Sequence, residues 1–465
     1  MHQLGVIILA AGQGTRMKSC LPKVLHSVGG KPLLGHVLAA ARRLNPIRVA
    51  VVIGHRAGAV RQAYPDNDIR WVIQEQQLGT AHAVLYARDI FHDFGGDVLI
   101  LSGDVPLIKA STLQSLVEFH RREQAAVTLL TATLADPAGY GRILRTSDGA
   151  AVARIVEEKD ATAEQRRVGE VNAGIYVASA EFLFAALTKV KNHNQQGEYY
   201  LPDIITIGLE RSKPIRTVWL EDAREMMGVN TRQELAFMEK NLRDDINRKW
   251  LAAGVTLRDP DTTYIDADVF IGRDTVIGPN THLKGKTTIG ERCQIDGSAF
   301  LTDMDIGDDV VLKFSVVLTG SRIDRGAIIG PFAHLRPGTH LGCNVHIGNF
   351  VEAKAARVGD GTKANHLTYL GDVTIGRDTN IGAGTITCNY DGFQKYQTTI
   401  GDRVQVGSDT TLVAPIALGD DVYVATASTV RHDVPAGALV FNDREERVRE
   451  GWTEQKRRKM KGNKT

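Results

Sequence analysis

The chain has 465 residues, of which 43% are hydrophobic and 24% charged, and its formal net charge at pH 7 is +2. This length suits two or three domains, each long enough to bury its own core. A net charge so close to zero provides no global field for nucleic acid or a membrane surface. No apolar run approaches the roughly 18 residues that a membrane helix needs, and the N-terminus lacks the basic start of a signal peptide. We therefore expect a cytoplasmic protein that binds neither nucleic acid nor membranes.

The four cysteines are spread along the chain, at positions 20, 293, 343 and 388. None forms a CxxC pair, so neither a zinc site nor a disulfide framework is indicated. Free thiols fit a reducing cytoplasm.

The first half of the chain alternates apolar runs with amphipathic segments. The apolar runs predict strands buried on both faces, at residues 6–9, 49–53 and 98–101. Helical patterns lie between them, at residues 33–43 and 80–91. This alternation predicts an α/β domain of βαβ units, which we assign to residues 1–229. Residues 231–253 contain no Gly or Pro and predict a connecting helix, which we assign to residues 230–250.

After Gly254 an aliphatic residue recurs at every sixth position. The recurring residues form three runs: Ile265, Ile271, Ile277, Leu283, Ile289, Ile295 and Leu301; Ile329, Leu335, Leu341 and Ile347; Ile400, Val406, Leu412, Leu418, Val424 and Val430. A period of six is typical of a parallel β-helix, in which equivalent residues stack one coil apart, roughly 4.8 Å. We expect residues 251–465 to form this domain. Residues 388–399 interrupt the repeat as an insertion, where solenoids often carry binding loops.

A glycine-rich loop, LAAGQGTRM at residues 9–17, follows the first predicted strand, and Pro22 and Lys23 come shortly after it. Such a loop lets backbone N–H groups approach phosphate oxygens, and Arg16 and Lys23 add the positive charge that a triphosphate needs. The loop lacks the third Gly of the dinucleotide fingerprint and the Gly-Lys-Ser/Thr of a P-loop. It therefore predicts nucleotide binding of another type.

Further motifs follow this loop in order: QLGT at 77–80, SGDVPL at 102–107, GYGR at 139–142, IVEEKD at 155–160, NAG at 172–174, GEYY at 197–200 and GVN at 228–230. With these motifs the first half resembles the sugar-nucleotide pyrophosphorylases, which have a Rossmann-like fold. Residues 4–452 are similar to the bifunctional family that combines N-acetylglucosamine-1-phosphate uridyltransferase and glucosamine-1-phosphate acetyltransferase. The resemblance implies an α/β Rossmann-like nucleotidyltransferase domain, then a left-handed parallel β-helix of hexapeptide repeats, in a homotrimer.

For the first domain the resemblance implies transfer of UMP from UTP to N-acetylglucosamine 1-phosphate, with release of pyrophosphate. Asp104 and Asn230 would ligate Mg²⁺, whose preferred ligands are oxygens. Arg16 and Lys23 would assist catalysis by neutralising charge. The residues that would bind UTP or the product are Leu9, Ala10, Ala11, Gly12, Lys23, Gln74, Gly79, Thr80, Ser102, Gly103, Asp104, Gly141, Glu157, Asn172 and Asn230.

For the second domain the resemblance implies acetyl transfer from acetyl-CoA to glucosamine 1-phosphate. His366 would be the base that deprotonates the amine, because a histidine titrates near neutral pH. The sugar phosphate would be held by Arg336, Lys354, Tyr369 and Asn380. Acetyl-CoA would be bound by Ala383, Asn389, Tyr390, Ser408, Thr426 and Arg444.

Two positions depart from the family pattern. A small residue and then Gly are expected where Thr426 and Ala427 stand, and an arginine is expected at Asp443, where the neighbouring Arg444 is a candidate substitute. The basic tail, KRRK at 456–459, is interpreted as solvated and disordered rather than as a nucleic-acid patch.

Two alternative functions stay open at this point. One is a monofunctional nucleotidyltransferase whose β-helix only oligomerises or regulates. The other is a β-helix binding or metal module like that of the γ-class carbonic anhydrases. His334, His340 and His346 each precede a core residue and are six residues apart, so we expect them to point outward on three different faces, without a shared metal.

Overall fold

The structure is a computed structural model, which describes residues 3–443 and 445–462. The chain divides into two units, one ending at Ile246 and one beginning at Asn247, and each is described by itself. No helix in the described ranges is long and apolar enough to cross a membrane.

The first unit is built on a mainly parallel, twisted sheet. Its strands in spatial order are Ile215–Trp219, Val127–Thr133, Glu170–Ser179, Asp97–Ser102, Leu4–Ala10, Arg48–Ile53 and Ile69–Ile73. The third of these runs antiparallel and also pairs with a hairpin of Arg142–Arg145 and Val152–Val156. A small ribbon joins Ser27–Val28 and Lys31–Pro32. The α-helices of this unit are Leu33–Arg42, Ala57–Ala63, Thr80–Tyr86, Ala110–Arg122, Ala180–Leu187 and Asp203–Glu210.

The predicted strand at residues 6–9 lies in the middle of this sheet and is buried on both faces. Val6 and Ile8 pack into one core, whereas Ile7 packs into the other. The Rossmann-like architecture is thereby confirmed. Because the flanking strands run parallel, their carboxyl ends meet at one edge, the usual place for ligands in open α/β sheets.

A long helix, Arg232–Ala252, follows the sheet. Thr231 and Glu234 form a capping box at its start, since the Thr231 hydroxyl accepts from the backbone N–H of Glu234 and the Glu234 carboxylate accepts from that of Thr231. Met238 is buried with Met17 and Val28 of the first unit. The cap fixes the chain direction immediately after Asn230.

The second unit is a parallel β-helix with three faces of short strands. The first face contains Thr256–Leu257, Val276–Ile277, Gln294–Ile295, Val311–Leu312, Ile328–Ile329, His346–Asn349, Lys363–His366, Asn380–Ile381, Gln405–Val406, Tyr423–Val424 and Leu439–Val440. The second contains Thr263–Ile265, Thr281–Lys284, Phe300–Thr302, Val317–Thr319, His334–Leu335, Ile386–Cys388, Thr411–Val413 and Thr429–Val430. The third contains Phe270–Ile271, Thr288–Ile289, Asp305–Ile306, Arg322–Ile323, His340–Leu341, Thr398–Ile400 and Ile416–Leu418. Glu352–Val358 and Tyr369–Ile375 each bend across the second and third faces.

The six-residue repeat fills the interior of this β-helix, as predicted. Each of its aliphatic residues is at most 4% exposed, as at Ile265, Ile347 and Val430. The repeat continues after Leu301. Two sides of the β-helix are five residues long there instead of six, so the buried position shifts to Ile306 and later to Ile323. The strands of neighbouring coils pair in parallel, which fits the expected left-handed β-helix.

The three spaced histidines lie on different faces. His334 pairs with Val317, His340 with Arg322 and His346 with Ile328, each on a separate ladder. The predicted separation of these histidines is confirmed.

The expectation of a disordered tail was wrong, because Trp452–Gly462 is an α-helix. Its side chains are exposed through Lys461. The segment before Gly462 lacks Gly and Pro and is rich in Lys, Arg, Gln and Glu, which have high helix propensity.

Buried threonines join neighbouring coils at the corners. The Thr362 hydroxyl donates to the Gly376 carbonyl at 2.7 Å and accepts from the Thr379 backbone N–H at 3.0 Å. Thr379 repeats this arrangement toward Gly401 and Val404. The hydroxyls thus satisfy backbone groups that the strand ladder leaves unpaired at the turn.

We predict that Thr362→Val lowers the free energy of unfolding by about 1–3 kcal/mol, because it leaves the part-buried Gly376 carbonyl and the buried Thr379 N–H unpaired with little change in side-chain volume. Urea unfolding followed by circular dichroism measures this. The exposed Thr288→Val is the matched control, with a change within about 0.5 kcal/mol. Equal stability of the two variants would contradict the role given to the hydroxyl.

Candidate active sites

The first site is a cavity of about 300 Å³ at the carboxyl edge of the sheet. It is lined by Leu9, Ala10, Ala11, Gly12, Lys23, Val24, Gln74, Gln77, Gly79, Thr80, Ala83, Ser102, Asp104 and Glu198. Most of the residues predicted to bind UTP therefore surround one space. Val24, Gln77, Ala83 and Glu198 were not predicted as binding residues. Gln77 belongs to the QLGT motif and Glu198 to the GEYY motif, which offered a signal.

Lys23 connects the two predicted Mg²⁺ ligands. Its Nζ forms an ion pair with Asp104 and donates to Oδ1 of Asn230 at 3.1 Å. Asp104 follows the strand Asp97–Ser102, and its backbone carbonyl accepts from Val229, which brings Asn230 to the same edge. Two oxygens from distant segments thus converge on one cationic group, which is the donor set that a hard divalent cation uses.

Residues 199–201 pack against the loop that follows Gln74 and hold it in place. A Cβ at Gly79 would lie 2.5 Å from the Tyr199 carbonyl oxygen, and its φ of 113° favours Gly. The Thr80 hydroxyl accepts from the backbone N–H of Leu201 at 2.9 Å. Gln74 is buried, and its Nε2 lies 2.9 Å from Nδ1 of His82. These contacts fix one wall of the cavity.

Gly141, Glu157 and Asn172 form a neighbouring group beside the hairpin. A Cβ on Gly141 would lie 3.1 Å from Oε1 of Glu157, and the Gly141 carbonyl accepts from the backbone N–H of Asn172. Burial raises the pKa of Glu157, with Asp203 and Asp160 acting in the same direction.

Two further predicted residues lie near the glycine-rich loop. The backbone N–H of Gly103 donates to the Leu9 carbonyl, and Arg16 is exposed on the turn Thr15–Met17.

The second site lies on the β-helix and divides between two corners. At the corner after the first face, Asn349, His366, Ala383, Ser408 and Thr426 occupy one column. The strand register shows this, since Asn349 pairs with His366 and the strands before the later members pair as Ala364 to Ile381, Ile381 to Val406 and Val406 to Val424. Across the corner the backbone N–H of Asp409 donates to the Ala383 carbonyl and that of Ala427 to the Ser408 carbonyl, both at 2.7 Å. The predicted base and three predicted acetyl-CoA residues therefore form a continuous line.

The corner after the second face carries the predicted phosphate-binding groups. Arg336 lies one coil before Lys354, and both bear carboxylate partners, Glu352 at 2.9 Å and Asp372 at 3.5 Å. Asn389 is buried and its amide donates to the same Asp372 carboxylate. The Tyr369 hydroxyl lies over Gly371 on this face.

Sequence reasoning missed Asp372 and Lys395 at this corner. The contact with Lys354 lowers the pKa of Lys395, because two like charges lie close together, and Asp372 acts in the opposite direction. Lys395 belongs to the insertion, which was predicted to carry binding groups without its lysine being singled out. Three cationic side chains so close together favour an anion such as a phosphate.

The remaining predicted residues lie apart from these contacts. Asn380 begins a strand of the first face beside Lys363. The Tyr390 hydroxyl donates to the Gly392 carbonyl in the exposed insertion. Asp443 is exposed, and Arg444 lies outside the described residues.

The two units define a two-site transferase: a nucleotidyltransferase of Rossmann-like fold, and a β-helix that carries a histidine at one corner and a cationic cluster at another. The family model of the MobA-like NTP transferase domain matches residues 6–170.

Relatives match along nearly the whole chain. The chain is 48% identical over 463 residues to the bifunctional protein GlmU of Koribacter versatilis, covering 99% of this chain and 98% of that protein. It is 48% identical over 453 residues to the bifunctional protein GlmU of Pelobacter propionicus, covering 97% and 98%. It is 46% identical over 465 residues to that of Corynebacterium diphtheriae, covering 98% and 95%.

The chain belongs to the family of bifunctional GlmU proteins. This confirms the resemblance seen in the sequence and the bifunctional reading, an N-acetylglucosamine-1-phosphate uridyltransferase that is also a glucosamine-1-phosphate acetyltransferase. The monofunctional and carbonic-anhydrase-like alternatives are not supported.

The carboxyl group of Asp203, whose charge acts on Glu157, makes the stability of the first unit depend on pH. Burial, with the charge of Asp160, raises the pKa of Asp203 to about 6. The folded state therefore holds this proton more tightly than the unfolded chain, and the stability that it contributes is present below about pH 4 and lost as the pH rises through about 6.

We predict that Asp203→Asn raises the melting temperature of the first unit at neutral pH, and that the difference shrinks toward zero near pH 4, where the native carboxyl is also neutral. Thermal unfolding at several pH values measures this. Asp89→Asn, an exposed carboxylate, serves as the control. A shift that is independent of pH would contradict the assignment.

Proposed function

We propose that the cavity at the sheet edge is the uridylyl-transfer site and that the two corners of the β-helix together carry acetyl transfer. The observation that supports the first assignment is the convergence of Lys23, Asp104 and Asn230 at the glycine-rich loop. The second rests on the column that contains His366 and on the cationic cluster around Lys354. The substrates are UTP, acetyl-CoA and glucosamine 1-phosphate, and the enzyme is cytoplasmic, by analogy with its family.

In the first reaction a phosphate oxygen of N-acetylglucosamine 1-phosphate attacks the α-phosphorus of UTP, and pyrophosphate leaves. Catalysis of this kind depends on positioning and on neutralising phosphate charge. Lys23 and Arg16 supply positive charge, Gln74, Gly79 and Thr80 hold the base, and Gly141, Glu157 and Asn172 hold the sugar. Asp104 and Asn230 would hold Mg²⁺, which neutralises the triphosphate.

In the second reaction His366 accepts a proton from the amine of glucosamine 1-phosphate. The amine nitrogen attacks the thioester carbonyl, and the thiolate of coenzyme A leaves. Arg336, Lys354 and Lys395 bind the phosphate, with Tyr369 and Asn380 orienting the sugar. Donors from Tyr390 and Ser408 stabilise the negative charge that develops on the carbonyl oxygen, and the column through Ala383 and Thr426 carries the rest of acetyl-CoA.

We propose that the chain forms a homotrimer in which the divided second site is completed between two chains. Within the described residues of one chain, no hydrogen bond joins the His366 column to the Lys354 cluster, and the two lie at opposite ends of the second face. Side chains next to the His366 column are apolar and exposed: Phe332 at 47%, Phe350 at 56% and Leu367 at 62%. Phe332 and Phe350 stack at 5.3 Å. Such a ladder suits burial against a second copy, which would bring the two groups together.

We predict that Asp104→Ala abolishes UTP-dependent pyrophosphate release and leaves acetyl transfer nearly intact, because the sites lie on separate units. The first activity is measured as pyrophosphate and the second as free coenzyme A thiol. Asp89→Ala, another carboxylate of the first unit, should affect neither. Equal loss of both activities in the Asp104 variant would rule out two independent sites.

We predict that His366→Ala lowers acetyl transfer by about 10²–10⁴-fold, the usual contribution of a general base. Uridylyl transfer from supplied N-acetylglucosamine 1-phosphate should persist. Unchanged acetyl transfer would remove His366 from the role.

The shared site can be tested by mixing inactive chains. Copies that carry His366→Ala and copies that carry Lys354→Ala are unfolded together, refolded and assayed. If each site takes its base and its phosphate clamp from different chains, mixed trimers regain part of the activity that neither variant has alone. Complete inactivity of mixed trimers, shown by mass to contain both chains, would place each site within one chain.

A further inference from the structure

Asn349 lies one coil before His366 in the same column. The parallel pairing of His346–Asn349 with Lys363–His366 sets Asn349 directly opposite His366. Their side chains therefore leave the same face of the β-helix, one strand spacing apart. Neither the spacing of the six-residue repeat nor the motifs that carry the family resemblance marked Asn349.

The two side chains are in hydrogen-bond contact. Oδ1 of Asn349 lies 3.0 Å from Nδ1 of His366. An amide oxygen only accepts, so the proton of a neutral His366 is held on Nδ1 and the lone pair remains on Nε2. Among the described residues no carboxylate lies within ion-pair distance of His366, which makes this amide its orienting partner.

The backbone around the pair is fixed from three sides. The Asn349 carbonyl accepts from the backbone N–H of Leu367 at 3.1 Å. The hydroxyl of Thr368, which is 3% exposed, donates to the His366 carbonyl at 2.6 Å. Gly348 lets the coils touch, because a Cβ there would lie 1.9 Å from the Asn365 carbonyl oxygen. The Asn349–His366 contact is thus built into the packing of two coils.

We propose that Asn349 is a positioning residue for acetyl transfer, which holds the ring of His366 with Nε2 unprotonated and directed for proton abstraction. This inference rests on the proposed role of His366 as the base. An exposed imidazole without a partner would rotate and populate both tautomers, and only one of them presents Nε2 as the acceptor. Asn349 does not touch the substrate in this role, so its loss affects the rate more than binding.

The test compares two substitutions of similar size. Asn349→Leu removes the acceptor, and we expect kcat for acetyl transfer to fall by about 10- to 100-fold, the scale of a misplaced catalytic group. KM for glucosamine 1-phosphate and acetyl-CoA should stay within about twofold, since uniform binding is unaffected. Asn349→Asp keeps an accepting oxygen and should retain most of kcat.

Two readouts and a control variant separate this role from a structural one. Melting temperature and uridylyl transfer should match the native enzyme in both variants, and Gln294→Leu, an exposed amide at an earlier coil, should leave acetyl transfer unchanged. If Asn349→Leu is unstable, Asn349→Ala removes the acceptor in the same way with a smaller side chain. A native kcat in the Leu variant, or equal damage in the Asp and Leu variants, would overturn the proposal. If His366→Ala itself proved fully active, the proposed base would fail instead, and the two failures would be distinguishable.

Discussion

The stacking of coils at a fixed backbone spacing is the constraint on which the second unit depends. Each coil donates its N–H groups to the carbonyls of the next, and glycines such as Gly382 and Gly407 allow contact where a Cβ would meet backbone atoms at 2.6 and 2.5 Å. Because the spacing is set by the ladder, every outward residue has a partner one coil away. The candidate functional residues therefore lie in columns, and this geometry places Asn349 next to His366.

The first unit positions its groups by a different route. Its parallel strands end at one edge, and the loops that follow bring together residues far apart in sequence, such as Lys23, Asp104 and Asn230. The capping box at Thr231 and Glu234 then holds Asn230 at the start of a helix. The precision comes from loops tied to rigid elements, whereas in the β-helix it comes from the repeat itself.

The parts of the fold that follow from periodicity could be predicted from the sequence. The aliphatic repeat identified the core of the β-helix, and the apolar runs identified the central strands. The five-residue sides after Leu301 could not be seen, because a shortened side breaks the period while keeping the pairing. The helix Trp452–Gly462 was missed because its charge pattern was weighed above its helix propensity.

The site was predictable only where a motif carried it. The loop at 9–17 and the residues around His366 were identified by motif, and the structure brings most of the first group around one cavity. Asp372, Lys395 and Asn349 were not marked by any motif, because their proposed roles depend on which side chains of neighbouring coils they contact.

The backbone angles and hydrogen bonds at Thr426 and Ala427 show what the departures from the family pattern change. Ala427 has a φ of 58°, in the left-handed region that favours Gly. Yet Asp409 and Leu367, at equivalent corners, have φ of 56° and 45°, so this column accommodates residues with a Cβ. The Ala427 N–H still donates to the Ser408 carbonyl at 2.7 Å, and Thr426 stays exposed in line with Ser408. The corner is therefore intact, and what Thr426 adds is a branched side chain on the surface proposed for acetyl-CoA. Any effect of the departure acts on the space beside the ligand rather than on the backbone that forms the column.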